Sequence, residues 1–493
     1  MSDLTYKLFI DGRFVDSTGD NTIKVINPAT EEVIGLVPEA TVEDSKRAVA
    51  AARKAFDDGP WGRYTPRERG AVLVKMADIM QRRFAELVDL NIAEAGSVRP
   101  LAEFLQVGVP VNAMRDFGDR IVYQYDWEKA VPPFLNAGGA MGIQQGIVQR
   151  TAIGVASLIT AYNFPLFLNV FKLAPALAAG CTVILKPSPD TPLEALVLGE
   201  IADEAGLPAG VLNIIPAGIE ASAELTTNRA VDMVSFTGSD VVGRRVYSQG
   251  ADTLKRVVLE LGGKSANIIT EGVDPEKVVP NILNNFLTHS GQGCSLQTRT
   301  LVHESLLGEV TSAIKTALDH VKIGDPADPS VGMGPLISEK QRAHVEGIIK
   351  AGRDEGAELI YGGGRPAGLE KGFFVEPTVF VTDNAKTVAQ KEAFGPISTI
   401  IPFKDDAEAI RIANDSDFGL GGGVWAKDPV RALGIARQLR TGQVTINGGG
   451  ADLSPWTPFG GWKQSGLGRE WGEAGLEEYL QTKSIIWPAG NPA

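Results

Sequence analysis

Apolar residues recur with helical spacing over residues 1–130, after a short strand-rich start. Thr41-Val42-Glu43-Asp44 reads as a helix N-terminus, and Val42, Val49, Ala52 and Phe56 then share one face until Gly59-Pro60 stops it. Thr65-Pro66-Arg67-Glu68 is a second capping signal with proline at the first helical position. Leu73, Met76, Ala77, Met80, Phe84 and Leu87 keep to one helical stripe, which assigns them to a core rather than a site.

Beyond residue 150 the pattern changes to short uninterrupted apolar runs at 155–159, 182–185, 211–215 and 231–236. Such runs suit strands covered on both faces. Thr191-Pro192-Leu193-Glu194 predicts a capped helix between the second and third runs, ending near Gly206-Leu207-Pro208. This alternation predicts an α/β chain with a doubly wound nucleotide-binding sheet. A second alternating region starts near Asn267-Ile268-Ile269, contains Cys294 and runs to Thr445-Ile446-Asn447. Residues 131–150, glycine-rich around Gly138-Gly139, read as an arm or hairpin, and residues 483–488 as a short strand.

Composition bounds the class. A chain of 493 residues exceeds one ordinary core, so two or three domains are expected. Its 56 glycines are scattered in short turns, which fits many tight connections between strands and helices. A net charge of −13 argues against nucleic-acid binding, which needs a basic surface. Only two cysteines, Cys181 and Cys294, point to a reducing cytoplasm. The start, Met1-Ser2-Asp3-Leu4-Thr5-Tyr6-Lys7, has no signal-peptide pattern, and no apolar run approaches the ~18 residues of a membrane span. Four histidines without a Cys/His cluster give a metal site little support.

The chemistry-bearing candidates are Cys294, in Gly291-Gln292-Gly293-Cys294, and Glu260, in Glu260-Leu261-Gly262-Gly263-Lys264, 34 residues earlier. A thiol beside glycine can be approached closely, as covalent catalysis requires, and a nearby carboxylate can activate water. Alone, such a cysteine is more often a small buried hydrophobe, the reading that fits Cys181.

With Asn163, Lys186, Phe236-Thr237-Gly238-Ser239, Glu392-Ala393-Phe394-Gly395-Pro396 and Pro458-Phe459-Gly460-Gly461, these runs resemble the aldehyde dehydrogenase superfamily, in its hydrolytic, acid-forming branch. The resemblance extends from Phe9-Ile10-Asp11-Gly12 and Asn27-Pro28-Ala29-Thr30 to Ser465-Gly466-Leu467-Gly468-Arg469-Glu470. It implies a Rossmann-type cofactor domain (1–130 and 151–259), an α/β catalytic domain (260–470) and a small β oligomerisation arm with tail (131–150 and 471–493), assembled as a homodimer or homotetramer.

The resemblance also implies roles. Cys294 as thiolate attacks an aldehyde to give a thiohemiacetal, whose oxyanion meets the Asn163 amide and the Cys294 N–H. Hydride departure to the nicotinamide leaves a thioester, which Glu260-activated water hydrolyses to the acid. Lys172 helps the proton balance, the alternative being a helix-surface lysine; for Asn163 the alternative is a turn before Pro165. The cofactor would meet Ile159, Thr160, Lys186, Ser188, Pro189, Phe236, Gly238, Ser239, Leu261, Gly262, Glu392 and Phe394. Pro189 stands where NAD-preferring members usually carry glutamate, so the choice between NAD and NADP stays open, with NAD modestly favoured. Phe164, Phe171, Gly293, Ser295, Trp456 and Phe459 would line an apolar funnel suited to an aromatic, terpenoid or medium-chain aldehyde rather than a semialdehyde acid. Glu260 speaks against transfer of the acyl group to coenzyme A. The joint presence of Cys294, Glu260 and Asn163 speaks against an inactive binding or structural relative. A further departure from the family pattern is Gly96-Ser97, in place of the usual glycine-lysine.

Overall fold

A computed structural model describes residues 5–136, 142–449 and 456–489. Gly138 and Gly139, the centre of the expected hairpin, lie outside them, as do residues 1–4. Five parallel strands form the heart of the first sheet, in the order Leu212–Ile214, Thr182–Lys186, Val155–Ile159, Met233–Thr237 and Arg256–Glu260. The first four are buried along their length, which is why they read as uninterrupted apolar runs. The fifth begins with the half-buried Arg256 and Val257 and gives no such signal. Leu8–Ile10 and Gly466–Leu467 extend the sheet antiparallel at its two sides. From Val155–Ile159 the chain first builds toward Leu212–Ile214, then returns to add Met233–Thr237 on the other side. Strand order therefore reverses beside Val155–Ile159, and the carboxyl ends at such a reversal form the crevice where α/β sheets bind ligands.

The helices follow their signals with two corrections. Thr41 and Asp44 form the expected reciprocal cap of Val42–Asp57, and Thr65 and Glu68 that of Pro66–Arg82. The stripe from Leu73 to Leu87 does not belong to one helix: at Arg83 (φ −93°, ψ 16°) the chain leaves helical geometry, and Phe84–Ala95 is a separate helix. The expected side-chain cap on Leu193–Ala205 is also absent. Instead Glu94 accepts hydrogen bonds from the Leu193 and Glu194 N–H groups at 2.5 and 3.2 Å. The first N–H groups of a buried helix need acceptors, and here a carboxylate from another helix supplies them.

Two π-helical stretches, Ala102–Gly108 and Phe117–Ile121, interrupt the helices that cover the sheet. Cys181 is fully buried, and its Sγ donates to the Tyr479 carbonyl at 3.5 Å, in keeping with packing.

The second sheet runs Glu358–Tyr361, Thr378–Val381, Ile397–Phe403, Arg299–His303, Ala266–Ile269, Gly422–Trp425 and Thr445–Ile446. All neighbours pair in parallel except Glu358–Tyr361. A third, antiparallel sheet joins Leu480–Pro488, Ile143–Ala152 and Glu128–Leu135. The arm and the tail thus meet in one sheet, with a tail strand longer than the sequence suggests. No helix among the described residues is long and apolar enough to cross a membrane.

Candidate active site

Asn163 follows the carboxyl end of Val155–Ile159, two residues before Pro165 opens a helix that is buried throughout, Pro165–Ala179. Its side chain does not close a local turn. Nδ2 reaches the Gln292 carbonyl at 2.9 Å, and the Asn163 carbonyl accepts from Gln106 Nε2 at 3.0 Å. Gln106 lies in the π-helical stretch and also donates to Ser97 Oγ at 3.0 Å. Ser97 in turn faces His289 Nδ1 at 3.5 Å, so the departure at Gly96-Ser97 feeds a buried polar network behind Asn163.

Cys294 sits just past an unusual turn. His289, Ser290 and Gly291 are all left-handed, with φ of 48°, 55° and 76°. A Cβ at Gly291 would lie 2.0 Å from the Gly395 carbonyl oxygen, so glycine is required there. Ser290 Oγ donates to the Gly334 carbonyl at 2.7 Å, and Gln292 Oε1 accepts from the Ile337 N–H at 3.0 Å. These bonds hold a backbone that two non-glycine residues would otherwise avoid.

Glu260 ends the strand Arg256–Glu260 and is almost fully buried. Neither carboxylate oxygen has a hydrogen-bond partner among the described residues. Burial raises its pKa well above the carboxylate range, and the nearby Glu470 carboxylate adds to this. The glycine pair that follows allows two close approaches. A Cβ at Gly262 would lie 2.3 Å from Glu392 Oε2, and one at Gly263 would lie 2.2 Å from the Cys294 carbonyl oxygen. Glu392 accepts from the Gly263 N–H at 2.8 Å, and burial lifts its carboxyl to about 7. Burial also pushes the Cys294 thiol up, helped by Glu260 and Glu392.

One cavity of about 740 Å³ joins these groups. Leu105, Phe164, Phe167, Leu168, Phe459 and Trp471 line it and belong to one apolar cluster that Cys294 borders; Cys294, Glu260 and Asn163 lie on its wall, as do Gly238, Ser239, Glu392 and Phe394. The sequence profile of the aldehyde dehydrogenase family matches residues 14–485. The chain belongs to the aldehyde dehydrogenase family.

Its similarity to individual members spans the whole chain. It is 40% identical to a 3-succinoylsemialdehyde-pyridine dehydrogenase of a Pseudomonas species, over 98% of this chain and 99% of that one. The fold matches a Mycobacterium tuberculosis aldehyde dehydrogenase crystallised with NAD+ at a TM-score of 0.95, with 44% identity and full coverage of both chains. It matches aldehyde dehydrogenase C of Pseudomonas syringae, a cysteine-to-alanine mutant crystallised with NAD+ and octanal, at 0.91, with 37% identity over 98% of this chain and 96% of that one.

Against this aldehyde dehydrogenase framework, some expected wall residues move. Phe164, Gly293, Ser295 and Phe459 line the cavity; Phe171 and Trp456 do not. Phe171 stacks behind Phe167 at 4.2 Å, in a second layer. Trp456 is exposed, with the Arg120 guanidinium 3.7 Å over its ring. The sequence reading missed Leu105, Phe167, Leu168, Glu470 and Trp471. Phe167 had a signal, since it shares a helical face with Phe164 and Phe171; Leu105 had none, because its direction follows from the π-helical stretch. Lys172 is not a surface lysine: it is fully buried, donates to Ser235 Oγ at 2.9 Å and forms an ion pair with Glu470.

Of the residues expected to hold the cofactor, Ser188, Gly238, Ser239, Leu261, Gly262, Glu392 and Phe394 line the cavity, whereas Ile159, Thr160, Lys186, Pro189 and Phe236 do not. Ile159 packs into the sheet core, and Thr160 Oγ1 turns inward to Asn169 Oδ1 at 2.7 Å. Phe236 lies beneath Gly238, whose Cβ would come within 2.5 Å of its ring. Lys186 is buried at its strand end, which lowers its pKa to about 8. Pro189 follows Ser188, one residue away from the wall. The helix Glu339–Asp354 contributes Gln341, His344 and Ile348, which no local sequence pattern had marked.

The cradle fits a dinucleotide. Ser239 caps the helix Asp240–Ala251, accepting from the Val242 N–H at 3.4 Å. Gly238 and Ser239 put that helix start on the cavity wall, where backbone N–H groups can meet a pyrophosphate.

Proposed function

We propose that this chain oxidises apolar aldehydes to carboxylic acids with NAD+ as hydride acceptor. The observation that carries the reading is the junction of Cys294, Asn163 and Glu260 on one cavity that also carries a dinucleotide cradle. The NAD+ complexes of the similar mycobacterial and Pseudomonas syringae enzymes support the cofactor. NADP stays open, because proline at 189 offers no carboxylate to repel a 2′-phosphate.

Cys294 Sγ, as thiolate once its proton has passed to water in the cavity, attacks the carbonyl carbon, whose π electrons move to oxygen. The second N–H of the Asn163 amide and the Cys294 backbone N–H receive the oxyanion. A nicotinamide dinucleotide bound at the cradle would supply the hydride acceptor, leaving a thioester on Cys294. Glu260 then removes a proton from water as the water attacks the thioester; the C–S bond breaks, the acid leaves and Cys294 is returned as thiolate, and the unpartnered Glu260 oxygens are free for the contact with water. Glu470, on the same cavity wall and paired with the buried Lys172, is the neighbouring carboxylate to which the proton can pass. In this division of labour the first sheet holds the cofactor and the second positions the nucleophile.

The apolar substrate class is supported by the aromatic lining of the cavity; among the described residues the only lysine or arginine on its wall is Lys391, next to Glu392 in the chain. The octanal complex of the similar Pseudomonas syringae enzyme agrees with it. Self-association through the third sheet is supported by the exposed Leu135, Ile143 and Ile486, and light scattering would test it.

The decisive experiment follows near-ultraviolet absorbance of reduced nicotinamide with an aldehyde panel, NAD+ or NADP+, and no coenzyme A. Oxidation lost in C294A supports the reading. Activity surviving in C294A, or turnover only with coenzyme A, contradicts it.

A further inference from the structure

We propose that Trp471 sets the width of the aldehyde channel, so that slim or flat apolar aldehydes are accepted and thick, branched ones refused. The proposal rests on the cavity being the aldehyde site. Trp471 is 3% exposed and stands on the cavity wall beside Glu470. Its indole stacks on Phe459 (4.8 Å, 25°), leans on Phe171 (4.8 Å, 48°) and meets Phe167 edge-on (5.9 Å, 73°). Phe167 and Phe171 belong to the helix Pro165–Ala179, whereas Phe459 comes from a distant loop. The indole therefore fills the gap between two separate walls, in the same apolar cluster that Cys294 borders. A smaller side chain would leave that gap as channel.

The backbone makes the placement specific. Trp471 adopts φ 70° and ψ 151°, a region that residues with a Cβ almost never occupy. Both flanks are pinned. Glu470 and Phe459 exchange backbone hydrogen bonds at 2.7 and 2.8 Å, the Glu470 carboxylate is paired with Lys172, and the Trp471 carbonyl accepts from the Gly475 N–H at 2.9 Å. The bulkiest side chain thus sits where the backbone would best tolerate glycine. What it gains there is the three ring contacts and the closure of the wall. Because the pinned flank carries Glu470, which lines the same cavity as Glu260, the indole is held in register with Glu260, and this sets the channel width relative to the reacting atoms.

The test compares benzaldehyde with cyclohexanecarbaldehyde, rings of similar outline that differ in thickness, in wild type, W471L and W471F. The ratio of kcat/KM for the thick aldehyde over the flat one should rise about 10-fold in W471L, the scale on which a pocket discriminates small volume changes, and by a smaller factor in W471F. A ratio equal to wild type in both variants, with the two substrates losing efficiency in parallel, would make Trp471 a packing residue and overturn the proposal. Should W471L fail to fold, W471F decides the matter: a raised ratio supports it and an unchanged ratio refutes it. Failure of wild type to oxidise any aldehyde would instead overturn the reading of the site, a result separate from any change in the ratio.

Discussion

Lys172 and Glu470, 298 residues apart in the chain, form an ion pair in the interior, with Lys172 fully buried and the Glu470 side chain only 7% exposed. Ser235 Oγ accepts a second hydrogen bond from the ammonium at 2.9 Å. The pair ties the helix Pro165–Ala179 to the segment that carries Trp471. Removing one partner leaves the other charge buried, which costs more than the pair itself contributes. K172M should therefore lose about 3–5 kcal/mol of stability, and K172M/E470L should recover part of that loss. Denaturant unfolding of both single variants and the double variant measures it. Additive losses would show that the two side chains are not coupled.

Glu260 → Gln removes the base assigned to thioester hydrolysis but not the nucleophile. Steady-state turnover should fall by about 100-fold or more, while a burst of reduced nicotinamide persists in the first turnover. In the wild type, burial and Glu470 raise the Glu260 pKa, and the base acts only when deprotonated. The ascending limb of kcat should accordingly lie above the ordinary carboxylate range. A profile already flat at mildly acidic pH would contradict that assignment.

Gln106 → Leu breaks two bonds, to the Asn163 carbonyl and to Ser97 Oγ. Because small misplacements near the reacting atoms are costly, kcat should drop by about 10- to 100-fold, with KM for the cofactor little changed. Steady-state kinetics separates the two. A loss confined to cofactor KM would remove Gln106 from the positioning of Asn163.

Glu94 and Glu194 are fully buried neighbours; Asn91 donates to Glu194 Oε2 at 3.1 Å, while Glu94 caps the helix start. Burial raises both carboxyls, Glu94 to about 8, and the Glu94 charge raises Glu194 further. The folded protein therefore holds a proton that the unfolded chain releases above its ordinary value of 4.5. Unfolding releases protons, so this contribution is full at low pH and is lost as pH rises through the folded pKa. Between pH 4.5 and about 8, E194Q should show a flatter dependence of stability on pH than wild type, by at least about 1 kcal/mol, less than the worth of one pKa unit. Denaturant midpoints across that window test it, and parallel curves would rule the pair out.

Sequence alone carried what depends on local pattern. Buried parallel strands read as apolar runs because both faces are covered, and Thr41 and Thr65 announced their helices because capping is a short-range bond. The motifs around Cys294 and Glu260 marked the groups proposed to react because glycines flank them: Gly263 lets the Cys294 carbonyl approach, and Gly291 permits the left-handed turn. Tertiary structure decided what depends on direction. Whether Phe167 or Phe171 faces the cavity is set by the rotation of one helix against its neighbours, and Trp456 is drawn to Arg120 on the surface. Lys172 is buried only because Glu470 arrives from the far end of the chain, and Glu94 caps a helix it does not precede. Such partners are separated by about 100 residues or more, and the side chains' reach, not their spacing in sequence, brings them together.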